Sequence, residues 1–259
     1  MTYSAKQPSN DLKQIKAVLF DLFDTLLLIR VNENIGENCL KSVYKFLSTN
    51  GINVSFNDFR RVYSEVRSQI YERMSRNFEE PHFSVRVSQT LIKLGYNYDS
   101  KSNIAKGAAD AYSEEFSRYI YLDEDAIQVL RSLRSDGHKT GVISNFAIPE
   151  CVHRLTTIYG LRELLDIIVV SAEVNKRKPS PYIFEYALNL LGVNASEAIF
   201  IGDEDCFIGD TPDIDIRGAK NVGMKTVLIE RKSSSLKEED KPDFTIKRLS
   251  DILKILKGE

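Results

Sequence analysis

Ala17 to Phe20 form an unbroken apolar run that ends on Asp21, and a second apolar run resumes at Leu26 after Leu22, Phe23, Asp24 and Thr25. A continuous run of this kind reads as a strand buried on both faces, as in parallel sheets. An acid at the carboxyl end of such a strand stands where open α/β sheets bind their ligands. It fits equally a solvated turn after a core strand, so the segments downstream decide.

Those segments fall into two patterns. From Asn34 to Thr49 the apolar residues keep a helical spacing, and Gly51 stands where that helix would stop. Ser55 and Asp58 predict a capping box ahead of one long stripe of Phe59, Val62, Tyr63, Val66, Ile70 and Met74. A shorter helix through Val87 and Leu91 and a fourth over Asn103 to Tyr119, with Ile104, Ala108, Ala111 and Tyr112 on one side, complete a block without strand pattern.

Beyond Leu122 strands and helices alternate. Asp123 is expected to cap a helix through Ser135. Strands are expected at Lys139–Ser144, Asp166–Val170, Ala198–Ile201, Lys225–Ile229 and Phe244–Ile246, and helices over Glu150–Tyr159, Pro179–Leu191, Ile214–Asn221 and from Leu249. This alternation predicts an α/β, doubly wound, mostly parallel sheet. Because the opening strand belongs to it, the core is discontinuous, residues 1–30 and 120–259, with residues 31–119 inserted as an all-helical cap above the strand ends.

A net charge of −2 gives no electrostatic case for nucleic acid or an anionic membrane. No run approaches the ~20 apolar residues of a membrane span, and Met1 to Lys16 lack the apolar core of a signal peptide. Cys39, Cys151 and Cys206 match no metal or redox spacing. The expectation is a cytoplasmic protein, monomer or homodimer.

Four segments bring polar groups to strand ends or helix starts: Asp21 with Asp24 and Thr25; Ser144 and Asn145 after GVI; Lys178 before a proline-started helix; and Gly202-Asp203, with Asp210, Asp213 and Asp215 close behind. Each has an ordinary reading as a cap, a turn or a solvated surface charge. Together they converge, because neighbouring parallel strands bring their carboxyl ends to one rim. Clustered carboxylates cannot all stay ionised with Lys178 as the lone cation, so a hard divalent ion, Mg²⁺ first, is the natural partner. Ser144, the Asn145 backbone and Lys178 are the donors for the oxygens of a phosphorylated small molecule.

In order and spacing, LFDLFDTLL, GVISN, NKRKPSPYIF and AIFIGD resemble the haloacid dehalogenase-like hydrolase superfamily, in the branch with a helical cap after the first motif. The resemblance implies a sheet order 3-2-1-4-5 with the opening strand central. It implies Asp21 as a nucleophile forming an aspartyl-phosphate, Thr25 and Ser144 in the catalytic set, and Lys178 neutralising nucleophile and phosphate. For Mg²⁺ it implies Asp21, the Phe23 carbonyl and Asp203, with Asp210 or Asp215 completing the set.

Two features depart from the family pattern. Its phosphatases carry an acid–base Asp two residues after the nucleophile, where this chain has Phe23, a replacement similar to that of the metal-free dehalogenases. FIGDEDC, Phe200 to Cys206, is also followed directly by FIGDTPD, so Gly-Asp occurs twice. The longer apolar run ahead of Asp203 favours it over Asp210. The leading reading is a Mg²⁺-dependent phosphohydrolase of a small phosphorylated metabolite. A metal-free dehalogenase-like hydrolase and a catalytically inactive binding protein on the same fold stay open.

Overall fold

The computed structural model describes residues 10–30, 34–203, 214–231 and 241–259. Its centre is a parallel six-stranded sheet built from β1 (Ala17–Phe20), β4 (Lys139–Ser144), β5 (Ile167–Val170), β6 (Ala198–Gly202), β7 (Lys225–Ile229) and β8 (Phe244–Ile246). The order is β5-β4-β1-β6-β7-β8. The five-strand order expected from the family resemblance is therefore present, with β1 between β4 and β6, and β8 extends it by one edge strand. Register aligns Phe20 with Val142 on one side and with Ile201 on the other.

Alternate residues of β1 enter different cores, as the two-residue period of a strand requires. Ala17 and Leu19 join Ile143, Phe200 and the apolar side of α8 (Pro181–Leu191), which follows the one-turn α7 (Ser171–Val174). Val18 and Phe20 join the opposite core with Val142, Ile201 and the buried faces of α5 (Ala126–Ser135) and α6 (Pro149–Ile158). Both faces of the sheet are thus covered, which explains why its strands read as unbroken apolar runs.

Between β2 (Leu27–Ile29) and β3 (Ile120–Leu122), which pair antiparallel as a separate ribbon, the chain forms α1 (Ile35–Thr49), α2 (Phe56–Asn77), α3 (Phe83–Lys93) and α4 (Asn103–Ser117). The six-residue stripe of α2 is buried throughout. Helices α1 and α4 approach closely at Gly107, where a Cβ would overlap the Phe46 ring.

Local details differ from expectation. Ser55 accepts the Asp58 N–H but donates its hydroxyl to the Asp58 carboxylate at 2.6 Å, so the reciprocal half of the capping box is not made. The packed side of α4 is Ala105, Ala108, Ala109, Tyr112 and Phe116, with Ile104 and Ala111 only half-buried. The helix expected from Pro179 begins at Pro181, after a cis peptide bond at Lys178-Pro179. Asp123 does not cap α5 but pairs with Arg231 at 2.8 Å. Cys39 and Cys151 are free and buried, and burial pushes the Cys39 thiol up to about 12. No described helix is long and apolar enough to cross a membrane.

Candidate active site

The site is assembled at the carboxyl end of the sheet, where β1, β4 and β6 stop side by side. Asp21 is held by the sheet itself: its N–H donates to the Ile201 carbonyl at 2.8 Å, one step beyond the ladder. The chain then folds into a tight loop in which Leu26 and Leu27 both donate to the Leu22 carbonyl. Asp24 adopts a left-handed backbone (φ 57°), and its Oδ1 accepts the Ile29 N–H at 3.0 Å. That bond turns the Asp24 carboxylate to holding Ile29, the last residue of β2, and Asp suits the position because it tolerates this backbone region.

Arg231 ties the same loop down from outside. It donates to the Asp24 carbonyl at 3.1 Å, to the Thr25 carbonyl at 3.0 Å and to Asp123 at 2.8 Å. Nothing local in the sequence marks Arg231, because its partners lie over a hundred residues away.

Lys178 is the hub. Only 2% exposed, its ammonium lies 2.5 Å from Asp21 Oδ1 and 2.7 Å from Asp215 Oδ1. Burial alone would depress that ammonium, but the Asp21 and Asp215 charges outweigh burial and hold its pKa above the ordinary lysine value. Its backbone is clamped by Asn145, whose Oδ1 accepts the Lys178 N–H and whose Nδ2 donates to the Lys178 carbonyl. The Asn145 side chain is therefore occupied in placing Lys178.

Asp203 ends β6, and Asp215 stands in the first turn of α9 (Ile214–Asn221). With Asp21 they offer three carboxylate oxygens within 4.8 Å of one another, all from buried residues. Burial, then the charges of Asp21, Asp215 and Asp24, hold the Asp203 carboxyl well above the usual carboxylate range. Burial and the Asp21 charge likewise push Asp215 up to about 6 against the pull of Lys178. Lys178 and, more weakly, the buried Arg177 face these three acids, an excess of negative charge that a divalent cation would relieve. Gly202 lets the Asp215 side chain approach the end of β6, since a Cβ there would sit 2.5 Å from Asp215 Oδ2.

Two buried hydroxyls complete the rim. Ser144 Oγ, at the end of β4, and Thr25 Oγ1, on the Asp21 loop, have no hydrogen-bond partner among the described residues. Buried hydroxyls are ordinarily satisfied, so an orphan at a strand end fits a group aimed at a ligand. Phe23 is half-buried, and its ring packs against Phe116 of α4 and Phe146, which follows Asn145. Asp210 and the second Gly-Asp lie outside the described residues.

A further link, unmarked in the sequence, runs from the helical insertion to this site. Glu80, between α2 and α3, accepts the Ser171 hydroxyl at 2.6 Å, and that same oxygen receives the Phe146 N–H at 2.9 Å. Arg177 stands 3.8 Å from Glu80 and donates its N–H to the Phe78 carbonyl.

A doubly wound sheet with an acid cluster and a buried lysine at its strand ends defines an α/β protein with its candidate site at the carboxyl ends of the strands. The chain belongs to the haloacid dehalogenase-like hydrolase family, whose model matches residues 49–229. It is 29% identical over 247 residues to a glyceraldehyde 3-phosphate phosphatase of Methanopyrus kandleri, covering 94% of this chain and 97% of that one. Among solved structures it resembles a phosphatase of the same family from Thermococcus onnurineus (26% identity, TM-score 0.63, covering 95% and 99% of the two chains). A 2-haloacid dehalogenase from Pseudomonas syringae shares the fold (22% identity, TM-score 0.70, covering 94% and 98%). The protein is accordingly a hydrolase.

Proposed function

We propose that the protein is a Mg²⁺-dependent phosphohydrolase of small phosphorylated molecules, with Asp21 as nucleophile and α1 to α4 acting as a cap over the site. One observation carries this reading. Three buried carboxylates gather within 4.8 Å of one another, two of them on Lys178, while the neighbouring Ser144 hydroxyl has no partner among the described residues, which fits a site built for a divalent cation and an anionic group together.

In this reading the Asp21 carboxylate attacks phosphorus and forms an aspartyl-phosphate, and water then releases phosphate and restores the carboxylate. Lys178 orients Asp21 and offsets charge on the phosphoryl oxygens, while Ser144, Thr25 and the Asn145 backbone donate to them. Asp21, Asp203, Asp215 and the Phe23 carbonyl are the groups for Mg²⁺, which supplies charge neutralisation at the phosphoryl oxygens when bound. The buried, free thiols of Cys39 and Cys151 agree with a cytoplasmic setting.

The test is phosphate release from p-nitrophenyl phosphate. It is expected to require Mg²⁺, to stop on EDTA and to be abolished by Asp21→Asn. A second reading rests on the ring at position 23, which would suit displacement of halide because halide leaves without a proton. Chloride release from 2-chloropropionate that ignores EDTA, with no phosphate release, would establish that reading instead.

A further inference from the structure

The loop that follows Asp21 carries the Phe23 ring into an aromatic cluster. Phe23, Phe116 and Phe146 form a closed triangle, with centroids 5.4 Å apart for Phe23 and Phe116, 5.0 Å for Phe23 and Phe146, and 5.2 Å for Phe116 and Phe146. They come from three elements, the Asp21 loop, α4 and the segment after β4, so the wall closes where the cap meets the core. Behind Phe116 the stack continues to Tyr112 and Phe83. Burial raises the Tyr112 hydroxyl well above the usual tyrosine range, so it keeps its proton.

The carboxylates of the described site have other tasks. Asp24 holds the Ile29 N–H, and Asp203 and Asp215 cluster with Asp21 around Lys178. The Phe23 side chain, two residues after Asp21 and packed on Phe116 and Phe146, is a hydrocarbon ring with no proton to give a leaving group.

Resting on the phosphohydrolase reading, we propose that this site takes phosphoryl donors whose leaving group departs as a stable anion, namely phosphoanhydrides and acyl phosphates, over alkyl phosphomonoesters. In-line attack puts the leaving oxygen opposite Asp21. As Asp21 Oδ donates its electron pair to phosphorus, the bond to the leaving oxygen breaks and that oxygen keeps the pair. Without a donor, the barrier follows the basicity of the anion formed. A carboxylate has a conjugate-acid pKa of about 4 and a phosphate about 6, whereas an alkoxide approaches the value of water, about 15.7. The missing help is worth about 10²–10⁴-fold.

The second step lacks a described base as well. Water attacks phosphorus, the Asp21–phosphorus bond breaks with its pair returning to the carboxylate, and the water proton passes to a phosphoryl oxygen of the departing phosphate. This step is common to all donors, so it limits kcat for the good ones while kcat/KM still reports the leaving group.

The experiment uses the full chain with Mg²⁺ and a series of ring-substituted aryl phosphates, alongside acetyl phosphate, pyrophosphate and glycerol phosphate. The expected result is a fall in kcat/KM of about 10²-fold or more from nitrophenyl to phenyl phosphate. A shared kcat preceded by a burst of leaving group, and a flatter series in Phe23→Asp, are expected with it. The wild-type series decides even if that variant fails to fold. A shallow series, or glycerol phosphate used as well as acetyl phosphate, overturns the proposal while leaving the phosphohydrolase reading intact. No phosphate released from any donor, with no phosphate trapped on Asp21, overturns both.

Discussion

Glu80 and Ser171 meet across the two parts of the molecule, the serine hydroxyl donating to the buried carboxylate at 2.6 Å. Ser171 also receives the Phe146 N–H, and Arg177, next to Lys178 in sequence, lies beside the same carboxylate. One acid from the helical insertion therefore lies beside the Lys178 segment at Arg177 and reaches the Ser144 segment through Ser171.

Glu80→Ala is expected to destabilise the protein by about 1–3 kcal/mol, because it leaves the buried Ser171 hydroxyl without its acceptor. Glu80→Gln, which keeps an acceptor for Ser171, is expected to recover part of that. Denaturant midpoints at constant slope measure both. Equal stability of all three proteins would refute the role.

Arg231→Lys tests the clamp on the Asp21 loop. A lysine carries one point of donation where the guanidinium reaches two carbonyls and Asp123 at once. The substitution is expected to cost about 1–3 kcal/mol and to lower kcat through a looser Asp21. Thermal unfolding together with steady-state kinetics reads both effects.

Gly202→Ala addresses the acid cluster without touching a charge. The new methyl would overlap Asp215, and the expected outcome is a folded protein with Mg²⁺ affinity or activity reduced about 10–100-fold. Circular dichroism checks the fold, and Mg²⁺ titration checks the affinity. Unchanged Mg²⁺ affinity and activity would show that Asp215 is not needed where it stands.

The acids also set a pH dependence. Asp203 and Asp215 have folded-state pKa values above their unfolded value, to about 6 for Asp215. Their contribution to stability is complete below the unfolded pKa of about 3.9 and is lost as pH rises through the folded values. Metal-free protein should therefore lose the Asp215 part of this contribution as pH rises from about 4 through about 6. Mg²⁺, which favours the ionised cluster, should raise Tm more at pH 7.5 than at pH 5. Thermal melts with and without Mg²⁺ give the comparison, and an equal shift at both pH values would contradict it.

Legibility in the sequence followed the range of the interactions. The long stripe of α2 and the buried strands β1, β4 and β6 were readable, because burial on one face or on both writes a period into neighbouring residues. The three-residue strands β2 and β3 were not, since Leu27–Ile29 merges with the apolar run after Asp21 and its partner Ile120–Leu122 lies about ninety residues on. Asp123 looked like a helix cap because caps are local, and its tie to Arg231 is not.

The amino-acid sequence by itself determined the α/β alternation, the central strand ending on Asp21 and the short list of Ser144, Lys178, Asp203 and Asp215 as residues at strand ends or helix starts. The tertiary structure alone decided that Lys178 is shared between Asp21 and Asp215, that Asn145 places Lys178, and that Phe23 closes a ring triangle with Phe116 and Phe146. Periodicity records which side of an element is buried. Which distant groups share one buried charge depends on how separate elements pack, and no local pattern encodes that.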